Sequence, residues 1–367
     1  SSTSSSEDLS PGRWRRFCAI LAAGLAMLTV LSYGFVLLVD PYSSVPFSLP
    51  LERSEVALHQ QRLFYPALAR KPEFDSALIG NSNIRLIRPD ILGRSLGGHW
   101  VNLAMNAASS WEQEQIFEVF RRNHEQIDNI LVGLDYLWCI DRYADQRAVG
   151  ARTEAGFPAW LYDENPGNDL PPLNLGSLEH AWLQLGTALG VLDKQFGDDG
   201  YTVFTQPQSE YQLARARQKI YGSSKPKPIK PVQPPAKMGA KKRRALPMSA
   251  LPRLQGMLER LPPTTRVILF FVPYHSYYQA RPGSKNEIIW NECKRRVVKL
   301  ADQRGNTHVL DFMIRSPLTT TDSNYWDHKH YIVAVGDQIS ELITEAVTSA
   351  QPGEDYRILH SAAPDRL

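Results

Sequence analysis

Cysteine is scarce in this chain, with three in 367 residues, too few for a disulfide scaffold. Cys18 falls in the most apolar segment, which leaves Cys139 and Cys293. Those two could pair in an oxidising compartment, but two buried thiols are the expected state. An excess of one charge is also missing. The 41 Lys and Arg against 38 Asp and Glu leave only +3, too little to suggest a nucleic-acid binder. Strand pattern is nearly absent between residues 141 and 249. Apolar residues, by contrast, make up 43% of the chain, enough for a substantial core, and the length allows one large domain or two ordinary ones.

The longest charge-free run, Phe17 to Val39, is 23 residues, more than the roughly 20 needed to cross bilayer hydrocarbon. Arg13, Arg15 and Arg16 precede it and Asp40 follows, so the positive-inside rule puts the Ser-rich tail, residues 1–16, in the cytoplasm. A cleaved signal peptide is the alternative, but no small-residue cleavage site precedes Asp40-Pro41-Tyr42. The expectation is a single-pass protein of a bacterial inner membrane, with everything beyond residue 39 extracytoplasmic, in the periplasm of a two-membrane cell.

Residues 40–70 read as a connector with a helical stretch from about Glu52 to Arg70. An α/β pattern follows. Strands are expected at Phe74–Ile79, Trp100–Leu103, Asn129–Leu134, Arg266–Val272 and Thr307–Phe312. Helices are expected at Pro89–Leu92, Trp111–His124, Ser249–Leu261, Glu287–Arg304 and Tyr331–Ser349. Such alternation implies a mostly parallel sheet covered on both sides. The span 141–249 is read as a long insertion with one helix, Ser177–Phe196. It ends in the basic, Pro-rich stretch 222–247, an extended solvated segment that could also touch lipid phosphates or an anionic polysaccharide. Residues 351–367 read as a loose tail. One domain over 71–350 is preferred to two, because the first half alone has only three strands to bury.

Two motifs carry chemistry. Gly80-Asn81-Ser82 ends the first apolar strand, where open α/β sheets place ligands and backbone N–H groups can hold an anion. Alone it would be a helix cap. Asp327-His328-Lys329-His330 leads into the last helix. There a carboxylate can orient an imidazole, and the imidazole can take a proton from a serine. Asp327, His328 and His330 also invite a metal reading, but no further Cys or His cluster completes a site, so neither metal nor cofactor is expected.

A Gly-x-Ser after the first strand with an Asp-x-x-His before the last helix resembles the SGNH (GDSL-type) hydrolase and acyltransferase superfamily, from about Lys71 to Ser349. The resemblance implies a three-layer, flavodoxin-like α/β/α fold with Ser82 as nucleophile, Asp327 as acid and His330 as base. Asn102 to Ser109 is similar to the family's second block, with Ala104 and Ala107 at its glycine positions. The Ala107 N–H could still donate to an oxyanion. Asp135 occupies the position of the third block's Asn donor, and an ionised Asp accepts rather than donates hydrogen bonds. Loss of one such donor costs on the order of 3 kcal/mol of transition-state stabilisation.

With its uncleaved anchor, the chain resembles membrane-anchored DltD-like or alginate-acetylation-like members that work beside a membrane-bound O-acyltransferase. That implies a serine acyltransferase or esterase acting on O-acyl groups of an envelope or exported polysaccharide. The rival is a catalytically degenerate glycan-binding or docking partner of such an acyltransferase. Asn81, Tyr274 and His275 are further candidates for the oxyanion or acceptor region, although Tyr274, His275, Tyr277 and Tyr278 could equally be packing residues. Arg85, Trp138 and Trp326 are candidates for the cleft rim.

Overall fold

Residues 11–51, 60–140, 157–164, 170–193 and 197–362 are described in a computed structural model. By density of contact the chain divides into two units. One comprises residues 1–56 with 165–194, the other 57–164 with 195–367.

In the first unit, α1 (Pro11–Val39) is a 29-residue helix whose most apolar 18-residue window has a mean hydropathy of 2.1, long and apolar enough to cross a membrane. Also in this unit lies α6 (Leu175–Ala188), the middle of the expected insertion. The segment 141–249 is therefore not one piece, since its last part groups with the α/β unit. The expected helix over Ser177–Phe196 ends at Ala188, and residues 194–196 lie outside the described residues.

The second unit starts with α2 (Gln61–Leu68), the described part of the expected Glu52–Arg70 helix, since residues 52–59 lie outside it. It continues through β1 (Ser76–Ile79), α3 (Pro89–Leu96), β2 (Trp100–Asn102), α4 (Ser110–Asn123), β3 (Asn129–Leu134) and α5 (Tyr136–Cys139). After the segment assigned to the first unit come α7 (Leu213–Tyr221), α8 (Ala240–Arg244), α9 (Leu251–Glu259), β4 (Arg266–Phe271) and α10 (Lys285–Ala301). The chain closes with β5 (Thr307–Asp311), α11 (Pro317–Thr320), α12 (Val333–Ser349) and β6 (Arg357–His360).

The six strands form one sheet in the order β2-β1-β3-β4-β5-β6. The first five are parallel and β6 is antiparallel to β5. Parallel strands are covered on both faces and so read as continuous apolar runs. In β4, Val267 to Phe271 are all fully buried, worth about 1.5–3 kcal/mol per large side chain. The tail expected to be loose instead supplies β6. A four-residue edge strand with two polar ends, Arg357 and His360, has too little alternation to be noticed.

Strand order reverses between β1 and β3, so their carboxyl ends flank a switch point, the place where such sheets leave a crevice. Two glycines let the chain approach closely there. A Cβ on Gly80 would lie 2.6 Å from Ile84 Cδ1, and one on Gly133 would lie 2.7 Å from Ile84 Cγ2. Ile84 therefore lies flat over both backbones and pulls the turn containing Ser82 onto the sheet.

The expectation of two buried thiols is overturned, because Cys139 and Cys293 form a disulfide. It joins the end of α5, just after β3, to α10 across 154 residues of sequence. Sequence spacing says nothing about whether two Cα atoms come within bonding range, here 5.5 Å. Replacing both cysteines by alanine is expected to lower unfolding stability by about 2–4 kcal/mol, read as a lower urea midpoint. An unchanged midpoint would show that the bridge constrains nothing.

Candidate functional site

Ser82 opens a short 3-10 turn, Ser82–Ile84, immediately after β1. Asn81 caps that turn, its Oδ1 accepting from the Asn83 N–H at 3.1 Å. At the other end, Asn102 donates from one amide nitrogen to the carbonyls of Ile84, Arg85 and Ile87 at 3.1–3.3 Å. Asn102 lies at the end of β2 and is fully buried. It fixes where the serine turn stops, a role that a lone Asn ending an apolar strand does not reveal in sequence.

The partner loop is built just as locally. Tyr325 and Tyr331 form an antiparallel bridge, and Trp326 N–H donates to the His330 carbonyl at 2.8 Å. Inside the loop Asp327 Oδ1 accepts from the backbone N–H groups of Lys329 and His330 at 2.7 and 2.9 Å. Its other oxygen lies 2.8 Å from His330 Nδ1. Tyr331 OH then donates to the Asn83 carbonyl at 2.6 Å, tying this loop to the serine turn.

The two loops meet with Ser82 Oγ 2.9 Å from His330 Nε2. Ser82, His330 and Asp327 thus form one hydrogen-bonded chain, all three partly accessible. Burial works against ionisation of Asp327, but the hydrogen bond from His330, the imidazole's charge and the two backbone N–H groups outweigh it. The carboxyl is held well below the ordinary range. Phe204, from the segment after α6, sets its ring edge-on to His330 at 5.5 Å and lies 4.6 Å under the Arg85 guanidinium. Neither contact was foreseen.

Asp135 is the least expected part of the site. It is 3% exposed, and four donors converge on it. Asn81 Nδ2, Asn83 Nδ2 at 3.3 Å and Tyr274 OH at 2.9 Å reach one oxygen, and Leu137 N–H reaches the other at 2.9 Å. Burial pushes its carboxyl above the usual range, opposed by Asn81, the Leu137 N–H, Tyr274 and the charge of Lys329. Three donors crowded on one oxygen and a fourth on the other are what a carboxylate, an acceptor only, can take. Asp135 therefore accepts from the serine turn and offers nothing to an oxyanion.

The loop that carries Ala107 pairs with the start of the serine turn. Met105 forms a parallel bridge with Asn81 and donates its N–H to Gly80 O at 3.1 Å. Two residues on, Ala107 is exposed and left-handed, φ 50°. That conformation costs a residue with a Cβ roughly 1–2 kcal/mol and is where glycine would be preferred. Arg62 and Gln61 of α2 hold the same loop, donating to Asn106 O at 3.1 Å and accepting from Asn106 N at 3.3 Å. Arg62 is in turn fixed by the buried carboxylate of Glu112 at 2.6 Å.

Other candidates lie elsewhere. Tyr274 and His275 are both buried and committed to Asp135 and, at 3.1 Å, to Asp322. They are packing residues behind the site and not its lining. Arg85 and Trp138 are also buried, Trp138 donating to Gln113 at 3.0 Å, so neither forms a rim. Tyr277 and Tyr278 do reach a cavity of about 330 Å³, together with Tyr136 and Trp290. Tyr278 packs its ring 4.1 Å from His328, tilted by 38°, within the loop that carries Asp327 and His330. A larger cavity, about 570 Å³, shares Trp290 and carries Lys294, Arg295, Arg315 and Arg357. Compared with known proteins, the chain matches no family model and no curated sequence.

Two tests follow from this geometry. Asp135→Asn would supply the donor an oxyanion hole wants, yet it removes the acceptor three side chains share. Expected is a loss of about 1–3 kcal/mol in stability together with weaker reaction of Ser82 with a fluorophosphonate. Stronger labelling would contradict the acceptor role. For Asp327, a depressed folded-state pKa stabilises the fold above the ordinary carboxylate pKa of about 4, and that stabilisation is lost as pH falls further. The stability gap between the wild-type chain and Asp327→Asn should be constant above about pH 5 and shrink below pH 4, measured by denaturant melts. A gap that widens in acid would contradict it.

Proposed function

We propose that the chain is a membrane-anchored, extracytoplasmic serine acyltransferase or esterase of SGNH-like, three-layer architecture. It acts on O-acyl groups of an envelope or exported polysaccharide. The observation that carries the reading is the unbroken chain from Ser82 Oγ through His330 to Asp327. His330 Nε2 takes the proton as Ser82 Oγ bonds to the acyl carbonyl carbon. The ester oxygen then leaves with that proton, and an acyl-serine remains. A sugar hydroxyl or water, deprotonated by the same nitrogen, attacks the acyl-serine and restores Ser82. Asp327 holds the ring and favours its protonated form between the two proton transfers. The N–H groups of Ser82 and Ala107 are the donors best placed in sequence to face the developing oxyanion.

Three features support the setting. The apolar helix α1 offers an anchor. A disulfide between Cys139 and Cys293 fits an oxidising compartment. The aromatic cavity beside His328 offers flat faces suited to sugar rings. The second reading, a silent glycan-binding or docking partner of a membrane-bound O-acyltransferase, is favoured by one observation. Asp135 stands as an acceptor where a donor would help catalysis.

The two readings separate in cells. Ser82→Ala and His330→Ala are each expected to abolish turnover of the polymer's O-acyl groups, whether transfer or hydrolysis, a drop of roughly 10³-fold or more, and to abolish fluorophosphonate labelling. Full complementation of a deletion strain by both variants would favour the silent partner.

A further inference from the structure

Serine chemistry leaves the first unit unexplained. There α6 lies on the last turns of α1. Val36, Val39 and Ala181 form a buried cluster with Phe35, Leu51, Leu178 and Leu185 around it. Phe35 and Trp182 place their rings 4.6 Å apart. Several polar groups of this unit pair with one another in its interior. Tyr42 OH lies 2.8 Å from His180 Nδ1, and buried Asp40 accepts from the Ser44 and Val45 N–H groups at 3.0 Å.

The outward face of α6 is apolar. Leu175, Trp182 and Leu189 recur every seven residues, which puts them on one stripe, and they are 84%, 60% and 68% exposed. Glu179 is the exposed carboxylate between them. Contiguous exposed apolar surface marks a contact with a partner or a membrane.

Depth decides which. Hydrocarbon about 30 Å thick takes about 20 residues at 1.5 Å each, so a span entering at Phe17 leaves near Val36. That is where α6 crosses it. The connector returns to the same level, Leu49 N–H donating to Leu38 O at 2.7 Å, with Phe47 exposed. Exposed apolar residues of α1, including Met27, Leu31 and Leu38, thus reach the level at which α6 packs against it.

We propose that α6 is an interfacial helix whose Leu175–Trp182–Leu189 stripe sits in the acyl–headgroup boundary at the Val39 end of α1. The partner is lipid, because the stripe lies at the level where α1 leaves the bilayer that must cover its exposed apolar residues. A tryptophan suits that depth, and a flat-lying helix buries its apolar face about 5–10 Å into the boundary. The inference rests on α1 crossing a bilayer and is independent of what Ser82 does.

The test uses the full chain in lipid nanodiscs with no other protein. Cys18→Ser removes the one free thiol among the described residues, and a spin label is placed at Leu189→Cys or, separately, at Leu175→Cys. A label at Met27→Cys reports insertion of α1, and one at exposed Gln303→Cys reports water. Expected is faster relaxation by oxygen than by a water-soluble nickel chelate at both α6 sites, at a depth between the two controls. Nickel accessibility at both sites equal to that at position 303 would overturn the proposal. With no protein partner in the disc, that outcome would leave a protein as the occupant. A Met27 label open to nickel would overturn it as well, by removing the span.

Discussion

The 2.9 Å hydrogen bond between Ser82 Oγ and His330 Nε2 joins residues 248 apart in sequence, and much of the α/β unit serves to make it possible. One end rests on Gly80 and Gly133, whose missing Cβ atoms let Ile84 press the serine turn against β1 and β3. The other rests on a loop closed by the Tyr325–Tyr331 bridge and tightened by Asp327. Neither loop is long, so small errors in either would separate the two atoms. Tyr331, bonded to the Asn83 carbonyl, cross-braces them.

Behind that bond stands a second layer built on acceptors. Asp135 gathers Asn81, Asn83 and Tyr274, and Glu112 fixes Arg62, which fixes the Asn106 loop. Glu112 also completes the cap of α4, taking the Ser109 N–H at 2.8 Å while Ser109 Oγ accepts from Glu112 N–H. Replacing a whole buried ion pair by apolar residues is often neutral or stabilising, so these groups hold geometry more than they add stability. The same economy explains Asp135. Its carboxylate orients the residues on either side of the serine.

The five parallel strands were legible because full burial writes them as unbroken apolar runs such as Val267 to Phe271. The Ser82–Asp327–His330 grouping was legible because serine and histidine fall at the ends of recognisable elements. What escaped has physical reasons. β6 is a four-residue edge strand, and edge pairing asks little of side chains. The Cys139–Cys293 bridge depends on distance in space. Tyr274 and His275 follow the end of β4, but sequence does not tell which way a side chain points once a strand ends. The helix α6 was visible in its spacing, with Leu178 and Leu185 partly covered and Trp182 and Leu189 exposed. Periodicity finds an apolar face without saying what covers it.

The central claim is that Ser82 carries the acyl group. It is tested most directly by mixing the full chain with an activated acyl ester, quenching in acid within a turnover and mapping peptides by mass spectrometry. The account predicts one acyl group on the peptide containing Ser82, absent from Ser82→Ala and formed far more slowly by His330→Ala. Acyl groups found on lysines alone, or at equal yield in the Ser82→Ala chain, would contradict it.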